Sequence, residues 1–269
     1  MPILWRPYAA SSRPLVPTIN QQSSQARGLV RHWPLLGVAF GDRYPLTRTG
    51  VAHGVAPELG PVSDFAGTSY YDTGSVVPLA SESFTVAAWV LTNTTSASSG
   101  GGGIRNILST ETGAGSNEFV LRYRPGSTRF EMSISNSSAG FISANSTTVP
   151  VANVPYLVAG TFDLADTQVK LYVNGALEGD AATTNQSAAS DILTIGSDTG
   201  HNTRLRQWSG WITAVRVWNR VLTAHEHRAL YAPQTRWDLF WQPNPRAFAF
   251  VQAEAAASRP NYSMLLGVR

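Results

Sequence analysis

The stretch Arg129-Phe130-Glu131-Met132-Ser133-Ile134-Ser135 decides the fold class of this chain. Its apolar side chains, those of Phe130, Met132 and Ile134, stand at every second position. Because successive side chains of a β-strand point to opposite faces, this spacing places the three apolar residues on one face and Glu131 on the other. The stretch is typical of a half-buried antiparallel strand that leaves Glu131 in solvent.

The same pattern recurs on both sides of this strand. Residues 118–124 repeat the alternation, and so do residues 169–173, which run into Asn174-Gly175, a strong signal for a type I′ hairpin turn. Two further runs, residues 84–90 and 212–218, are apolar on both faces and therefore predict central strands covered on both sides. Clusters of Gly, Asn, Ser and Asp separate these short segments, which is the spacing of a β-sandwich.

The composition agrees with an all-β protein. Only 14% of the 269 residues are charged, against about 25% in an average soluble domain, and the chain holds 23 glycines and 16 prolines. We expect few helices. One is predicted near the end of the sandwich, because Thr223 and Glu226 have the spacing of a capping box and Pro233 follows the segment.

Several classes of protein are excluded by composition. The absence of cysteine excludes disulfide frameworks, thiolate metal sites and cysteine nucleophiles. A net charge of +3 spread along the chain argues against nucleic acid as a partner. No apolar run reaches the roughly 18 residues that span a bilayer, so we expect no membrane insertion. The first 18 residues lack the apolar core of a signal peptide.

The two ends of the chain differ from its middle. Four prolines among the first 17 residues predict an extended N-terminal arm over residues 1–27, followed by a sandwich over 28–232. Residues 233–269 combine prolines with aromatic side chains, which need a surface on which to be buried. We expect these arms to dock on another subunit through Trp5, Tyr8, Trp237, Phe240 and Trp241. The alternative is that the C-terminal arm folds back on its own sandwich.

Six segments, in a fixed order, resemble a laminin G-like domain of the concanavalin A-like lectin and glucanase superfamily, in its pentraxin-like branch. They are residues 64–71 (Asp64-Phe65-Ala66-Gly67 and onward), 83–90, 158–163, 171–175, 193–197 and 210–223 (Gly210-Trp211-Ile212 and onward). The resemblance covers residues 28–232. It implies an all-β fold in which two antiparallel sheets pack as a jelly-roll sandwich, here with extended terminal arms.

The order of the segments also resembles laminin G-like structural proteins of tailed phages. From the N-terminus, the segments are a proline-rich arm, the entry segment Gly28-Leu29-Val30, the domain, and a tail containing Trp237-Asp238-Leu239-Phe240. This resemblance implies a non-enzymatic virion structural or decoration protein, located in the virion, whose partners are other virion proteins or copies of itself, with surface glycans as a further partner. The alternative is a stand-alone carbohydrate-binding adhesion module.

A third possibility is a polysaccharide-degrading enzyme, but the chain lacks the catalytic motif of such enzymes. The glucanases of the superfamily present Glu-x-Asp-x-x-Glu on one strand, so that two carboxylates reach the same face, and no segment of this chain matches. There is no Gly-x-Ser-x-Gly nucleophile turn either. His225 and His227 stand two apart in the predicted helix, share no face, and are interpreted as surface residues. We predict no catalytic residue.

Calcium is the cofactor that the family resemblance implies, held at one rim of the sandwich by carboxylates. In relatives the strand that matches residues 211–217 begins with Ile followed by acidic residues, whereas here Thr213 and Ala214 follow Ile212. We therefore predict no cofactor and no metal site. The alternative is a calcium ion on loop aspartates, with Asp163 and Asp166, or Asp191 and Asp198, as the candidates.

The connection over residues 197–208 is rich in hydrogen-bonding side chains and holds an aromatic residue, a mixture that saccharide sites use. We predict a ligand site there, formed by Asp198, His201, Asn202, Arg204, Arg206 and Trp208. Trp208 and Trp211 flank the Ser209-Gly210 turn and are candidate stacking surfaces for a sugar ring. For each of these two tryptophans, burial in the core is the favoured interpretation.

Overall fold

The fold is a two-sheet sandwich, seen in a computed structural model that describes residues 19–35, 46–57, 59–76, 82–95, 103–110, 119–136, 140–183, 192–198 and 206–240. Within these residues the strands form two antiparallel sheets that pack face to face. The all-β sandwich predicted from the alternating pattern is confirmed, and so is the concanavalin A-like jelly roll that the family resemblance implies.

Sheet 1 contains the strands that were expected to be central. In the described residues it has eight strands, in the order β13-β12-β11-β6-β15-β4-β3, while β1 pairs with β15. Every residue of β6 is buried, which fits a strand covered on both faces. The strands are β1 (Leu29–Trp33), β3 (Ala52–Ala56), β4 (Gly60–Ala66), β6 (Phe84–Thr92), β11 (Pro155–Asp163), β12 (Gln168–Val173), β13 (Ala176–Ala182) and β15 (Ser209–Trp218).

Sheet 2 contains the stretch that decides the fold class, which is β9. In the described residues its seven strands lie in the order β10-β9-β8-β7-β14-β5-β2. They are β2 (Thr47–Thr49), β5 (Tyr70–Val76), β7 (Arg105–Ser109), β8 (Phe119–Arg124), β9 (Arg129–Asn136), β10 (Gly140–Asn145) and β14 (Ile192–Ile195).

The inner faces of the two sheets enclose the main core. On β9, Phe130, Met132 and Ile134 are all buried, as their spacing predicts. Across the sandwich, the ring centroids of Phe84 on sheet 1 and Phe119 on sheet 2 lie 5.1 Å apart. Burial of each such side chain contributes about 1.5–3 kcal/mol to stability. In a chain without cysteine, this packing holds the two sheets together.

One α-helix, α1 (Ala224–Tyr231), follows β15. It begins at the predicted capping box: the Thr223 side chain accepts a hydrogen bond from the Glu226 N–H, and the Glu226 carboxylate accepts one from the Thr223 N–H. Within the described ranges, no helix is long and apolar enough to cross a membrane.

The predicted hairpin turn lies under this helix. Asn174 and Gly175 join β12 to β13 with φ angles of 51° and 79°, and a type I′ turn requires both to be positive. A Cβ atom at residue 175 would lie 2.9 Å from the Cα of Arg228. Glycine therefore permits both the turn and the close approach of the helix.

The outer face of sheet 1 is covered by three segments of the same chain: α1, a short 3₁₀-helix (Ser24–Ala26) and residues 233–240. We call these three segments the cover. Apolar side chains of the sheet and the cover form a second core, which includes Ala87, Trp89, Leu157, Ala159, Tyr172, Trp218, Leu222, Leu230, Trp237, Leu239 and Phe240. Sheet 1 is thus apolar on both of its faces.

Buried polar contacts fix both terminal segments to β15. The Trp218 indole N–H donates to the backbone oxygen of Gln25, 2.8 Å away. The Arg216 guanidinium donates to Gln25 Oε1 at 2.9 Å and to the backbone oxygen of Arg236 at 3.3 Å. Residues 19–27 and 233–240, assigned to the arms from the sequence, therefore pack on the sandwich.

The docking expected for two aromatic residues of the C-terminal arm needs correction. Trp237 and Phe240 are each 1% exposed and pack against their own sheet rather than another subunit, because the outer face of sheet 1 offers them an apolar surface. The alternative, an arm folded back on its own sandwich, describes residues 233–240. Trp5, Tyr8 and Trp241 lie outside the described residues.

Candidate functional site

The outer face of sheet 2 is polar where the outer face of sheet 1 is apolar. Since Phe130 and Met132 point inward, the intervening residues of β9 point outward, and the strand register aligns them with their neighbours. Arg122 lies opposite Glu131, and Ser143 lies opposite Ser133. We call this surface the polar sheet face; its residues are Asn106, Arg122, Arg124, Glu131, Ser133, Phe141, Ser143 and Asn145.

A buried ion pair lies at the centre of the polar sheet face. The Arg122 guanidinium donates to Glu131 through Nε at 3.2 Å and through Nη2, and Arg124 Nη1 lies 3.3 Å from the second carboxylate oxygen. The hydroxyls of Ser133 and Ser143 also donate to Glu131. Glu131 is fully buried, so its expected exposure to solvent is wrong. A buried carboxylate is tolerated here because a cation and two hydroxyls compensate it.

The charge state of Glu131 follows from these contacts. Burial raises the pKa of its carboxyl group, but Arg122 and the hydroxyls of Ser133 and Ser143 lower the pKa by more, and the net pKa lies below its ordinary value. The group is therefore ionised at neutral pH. An ionised carboxylate accepts hydrogen bonds and holds Arg122 in place, but it has no proton to donate as a general acid.

Part of the polar sheet face is open to solvent. The Phe141 side chain is 41% exposed, and the Arg122 Cζ atom lies 5.4 Å from its ring centroid. Ser143 is half-buried, Asn145 is exposed, and the Arg124 side chain is 47% exposed. An aromatic ring, a hydroxyl, an amide and a guanidinium are therefore accessible on one surface.

Asn106 extends the polar sheet face across β7, where it lies opposite Arg122. It is fully buried, and its side-chain oxygen and nitrogen have no hydrogen-bond partner among the residues that the structure describes. Leaving a buried polar group unpaired costs about 1–3 kcal/mol. Its backbone N–H donates to the Arg206 oxygen at 2.8 Å, which connects this position to the loop predicted as the ligand site.

Both described ends of that predicted loop attach to the rim of sheet 2. The Gly196 N–H donates to the Ile107 oxygen at 2.9 Å, and the Trp208 N–H donates to the Gly196 oxygen at 2.8 Å. Asp198 is 6% exposed, and Trp208 is fully buried, so the core-packing interpretation describes Trp208. Arg206 is half-buried. The remaining three candidates lie outside the described residues: His201, Asn202 and Arg204.

One of the two helix histidines is not a surface residue. His225 is exposed as expected, but His227 is fully buried, and its ring stacks on Tyr172 with centroids 3.7 Å apart. Burial lowers the pKa of His227 to about 3. The surface interpretation failed because this side of α1 packs on β11 and β12.

One of the candidate metal ligands, Asp163, shows turn geometry. Asp163 Oδ1 accepts hydrogen bonds from the N–H groups of Ala165 and Asp166, which is the turn-forming role of an aspartate. In the described ranges, no three His, Asp or Glu side chains are grouped closely enough to hold a metal ion. Asp191 lies outside these ranges. The absence of a cofactor stays a prediction.

The polar sheet face was missed because each strand was interpreted alone. The usable signal was that two neighbouring strands each carry polar residues at alternate positions, Glu131 and Ser133 on one, Ser143 and Asn145 on the other. A hairpin register aligns such residues on one face.

The family model described as the concanavalin A-like lectin/glucanases superfamily, Laminin_G_3, matches residues 65–226, more than half of the chain. This chain belongs to the Laminin_G_3 family. The matched range begins in β4 and ends in α1, so it spans β5 to β15 and includes the polar sheet face. No curated protein matches this Laminin_G_3 chain.

Solved structures share the fold of this Laminin_G_3 chain at low identity. Domain 4 of AbnA, an extracellular arabinanase from Geobacillus stearothermophilus in complex with arabinotriose, has a TM-score of 0.58 and 15% identity, covering 76% of this chain and 98% of that one. The CBM40 of the Ruminococcus gnavus IT-sialidase bound to α2,3 sialyllactose has a TM-score of 0.52 and 17% identity, covering 64% of this chain and 96% of that one. The binding domain of Paraclostridial Mosquitocidal Protein 1 has a TM-score of 0.57 and 12% identity, covering 76% of this chain and 52% of that one.

Proposed function

We propose that this protein is a carbohydrate-binding module that holds a saccharide on the polar sheet face. One observation carries the proposal: the exposed Phe141 ring lies against an Arg122 guanidinium that the buried Glu131 carboxylate keeps in place. The ligand would stack on Phe141 and form hydrogen bonds with Ser143, Asn145 and Arg124.

The chemistry of a sugar ring fits this surface. A pyranose or furanose has an apolar face of C–H groups and a rim of hydroxyls, and binding sites pair an aromatic surface with a few polar groups in fixed positions. The Arg122–Glu131 pair holds the base of the site in one conformation before a ligand binds. Groups that are already ordered lose less entropy on binding, so preorganisation raises affinity.

The structural neighbours support the class of ligand. Two of them were solved with an oligosaccharide bound, arabinotriose in one and α2,3 sialyllactose in the other. At 15% and 17% identity they share the fold alone with this chain, so the identity of the saccharide has to come from experiment.

The proposal is tested by titrating the full-length protein with a panel of oligosaccharides in a calorimeter. Phe141→Ala should weaken binding about tenfold, which corresponds to about 1.4 kcal/mol, since it removes the stacking surface. Leu177→Ala is the matched control, because Leu177 is 52% exposed on β13 of the other sheet. Binding that is unaffected by Phe141→Ala, or no binding to any saccharide in the panel, would contradict the proposal.

A second candidate function is the virion structural role that the sequence suggests. One observation favours it: Ile19 and Phe240, the two ends of the described chain, pair as antiparallel neighbours, so the segments joined to them start from neighbouring points and a single partner could engage both. Substituting Trp5, Tyr8 and Trp241 by Ser should abolish any oligomer or particle that the full-length protein forms in analytical ultracentrifugation. A monomeric wild-type protein would refute this role. The virion location stays a prediction.

A further inference from the structure

A second concave surface lies at the margin of the outer face of sheet 1, on the opposite side of the sandwich from the polar sheet face. It is a cavity of about 380 Å³, within the roughly 300–1,000 Å³ of ligand pockets. The residues that line it include Trp211, Leu59, Leu91, Pro155 and Asn153. We call it the Trp211 cavity.

The strand register explains why Trp211 is accessible. Asp64, Trp211, Leu91 and Pro155 form one row across the neighbouring strands β4, β15, β6 and β11. Trp211 in this row is half-buried. Trp211 packs at the edge of the second core and also lines the cavity, so it is accessible to a ligand there.

In the next row inward, the side chains are buried. This row comprises Thr213, Trp89 and Leu157, which are 1%, 5% and 4% exposed.

Two polar side chains stand beside this indole. Asp64 is half-buried and lies directly opposite Trp211; in such pairs the Cβ atoms are about 4.5–5.5 Å apart. Among the residues that the structure describes, no side chain pairs with the Asp64 carboxylate. Asn153 is held at the rim by its backbone N–H, which donates to the Thr92 oxygen at 2.7 Å, and its amide side chain is exposed.

We propose that the Trp211 cavity is a second saccharide site, independent of the polar sheet face, and that its ligand is a neutral sugar. The apolar face of the sugar ring stacks on the Trp211 indole, while ring hydroxyls donate to the Asp64 carboxylate and pair with the Asn153 amide. A carboxylate beside the platform repels anionic sugars, and a purely apolar ligand would leave that carboxylate without a partner. One chain then binds two saccharide units on opposite faces.

The test is calorimetric titration of the full-length protein with neutral oligosaccharides, such as arabinotriose and xylotriose. Wild type should show two sites per chain. Trp211→Ala should weaken one site about tenfold, Phe141→Ala should weaken the other about tenfold, and the double variant should show neither site at the wild-type affinity. Asp64→Ala should weaken the Trp211 site about tenfold and confirms the result if Trp211→Ala fails to fold. Tyr231→Ala, which alters a 38% exposed aromatic residue of the cover, is the matched control.

The outcomes separate this inference from the proposed function. Binding that is lost with Trp211→Ala but unaffected by Phe141→Ala would sustain the second site and reject the first. A single site lost with Phe141→Ala and unaffected by both Trp211→Ala and Asp64→Ala would overturn the inference.

Discussion

The outer faces of the two sheets are stabilised in different ways. Sheet 1 buries its outer face under the cover, through apolar side chains such as Trp89, Trp218 and Trp237. Sheet 2 keeps charged and hydroxyl side chains there, held by the Arg122–Glu131 pair. The first arrangement makes the fold more stable, and the second leaves a surface able to form hydrogen bonds with a ligand. Substitutions on the two faces should therefore affect different properties.

The largest effect is expected in the cover. Trp237→Ala removes a fully enclosed ring from the contact between the cover and sheet 1, and large-to-small changes of this kind cost about 3–5 kcal/mol. Urea unfolding followed by circular dichroism measures the free energy of unfolding. Leu177→Ala, at an exposed position, should cost less than about 0.5 kcal/mol. A loss below about 1 kcal/mol for Trp237→Ala would mean that the cover contributes little to the fold.

The ion pair on sheet 2 should be nearly as sensitive. Glu131→Gln keeps the shape of the side chain but leaves the buried Arg122 guanidinium without its anion, at a cost of about 3 kcal/mol. The same unfolding experiment measures it, with Asp180→Asn, at an exposed position on β13, as a carboxylate control. If Glu131→Gln were neutral, the polar sheet face would not depend on this pair for its geometry.

The helix of the cover carries a pH-dependent contribution. Hydrogen bonds from Arg220 hold the pKa of Glu226 at about 2, below its ordinary value of 4.5. Because the folded-state pKa is depressed, the stabilisation is complete above about pH 4.5 and is lost as the pH falls toward about 2. Glu226→Gln should lower stability by about 1–2 kcal/mol near neutral pH and flatten the decline between about pH 5 and 2. An unchanged decline would contradict the assignment.

The smallest effect on stability is expected at the proposed ligand surface. Phe141 is partly exposed on the edge strand β10, so Phe141→Ala should change the free energy of unfolding by only about 0.5 kcal/mol, although it weakens saccharide binding. A loss as large as that of Trp237→Ala would show that Phe141 serves the fold rather than a ligand, and the contrast between the two faces would disappear.

The sequence predicted the fold because the fold depends on local pattern. The alternation of Phe130, Met132 and Ile134, the Asn174-Gly175 turn and the Thr223 capping box are each visible within a few residues. Such signals specify which side of a strand faces the core and where a helix begins, and all three are confirmed.

The site was harder to predict because it depends on pairing between distant residues. Glu131 looks solvated in its own strand, and only the register with β8 brings Arg122 opposite it. The aromatic side chains of Trp237 and Phe240 predict that both residues are buried. The sequence does not show on which surface they pack. Of the loop residues predicted to bind a ligand, Trp208 is buried, which is the interpretation favoured for it from the sequence, although turn residues around an aromatic side chain do not by themselves reveal whether it points inward.

The bridge between Ile19 and Phe240 has a mechanical consequence. Ile19 and Phe240 form a single antiparallel bridge outside the named strands, next to the hydrogen bond from the Asn20 N–H to the Leu239 oxygen, so a force that pulls these two ends of the described chain apart loads these few contacts first. The segments of the cover attached to Ile19 and Phe240 would peel away before the sheets yield. If one partner holds both termini, no force pulls Ile19 and Phe240 apart. If two partners hold the termini and pull in opposite directions, the cover separates from sheet 1 at low force.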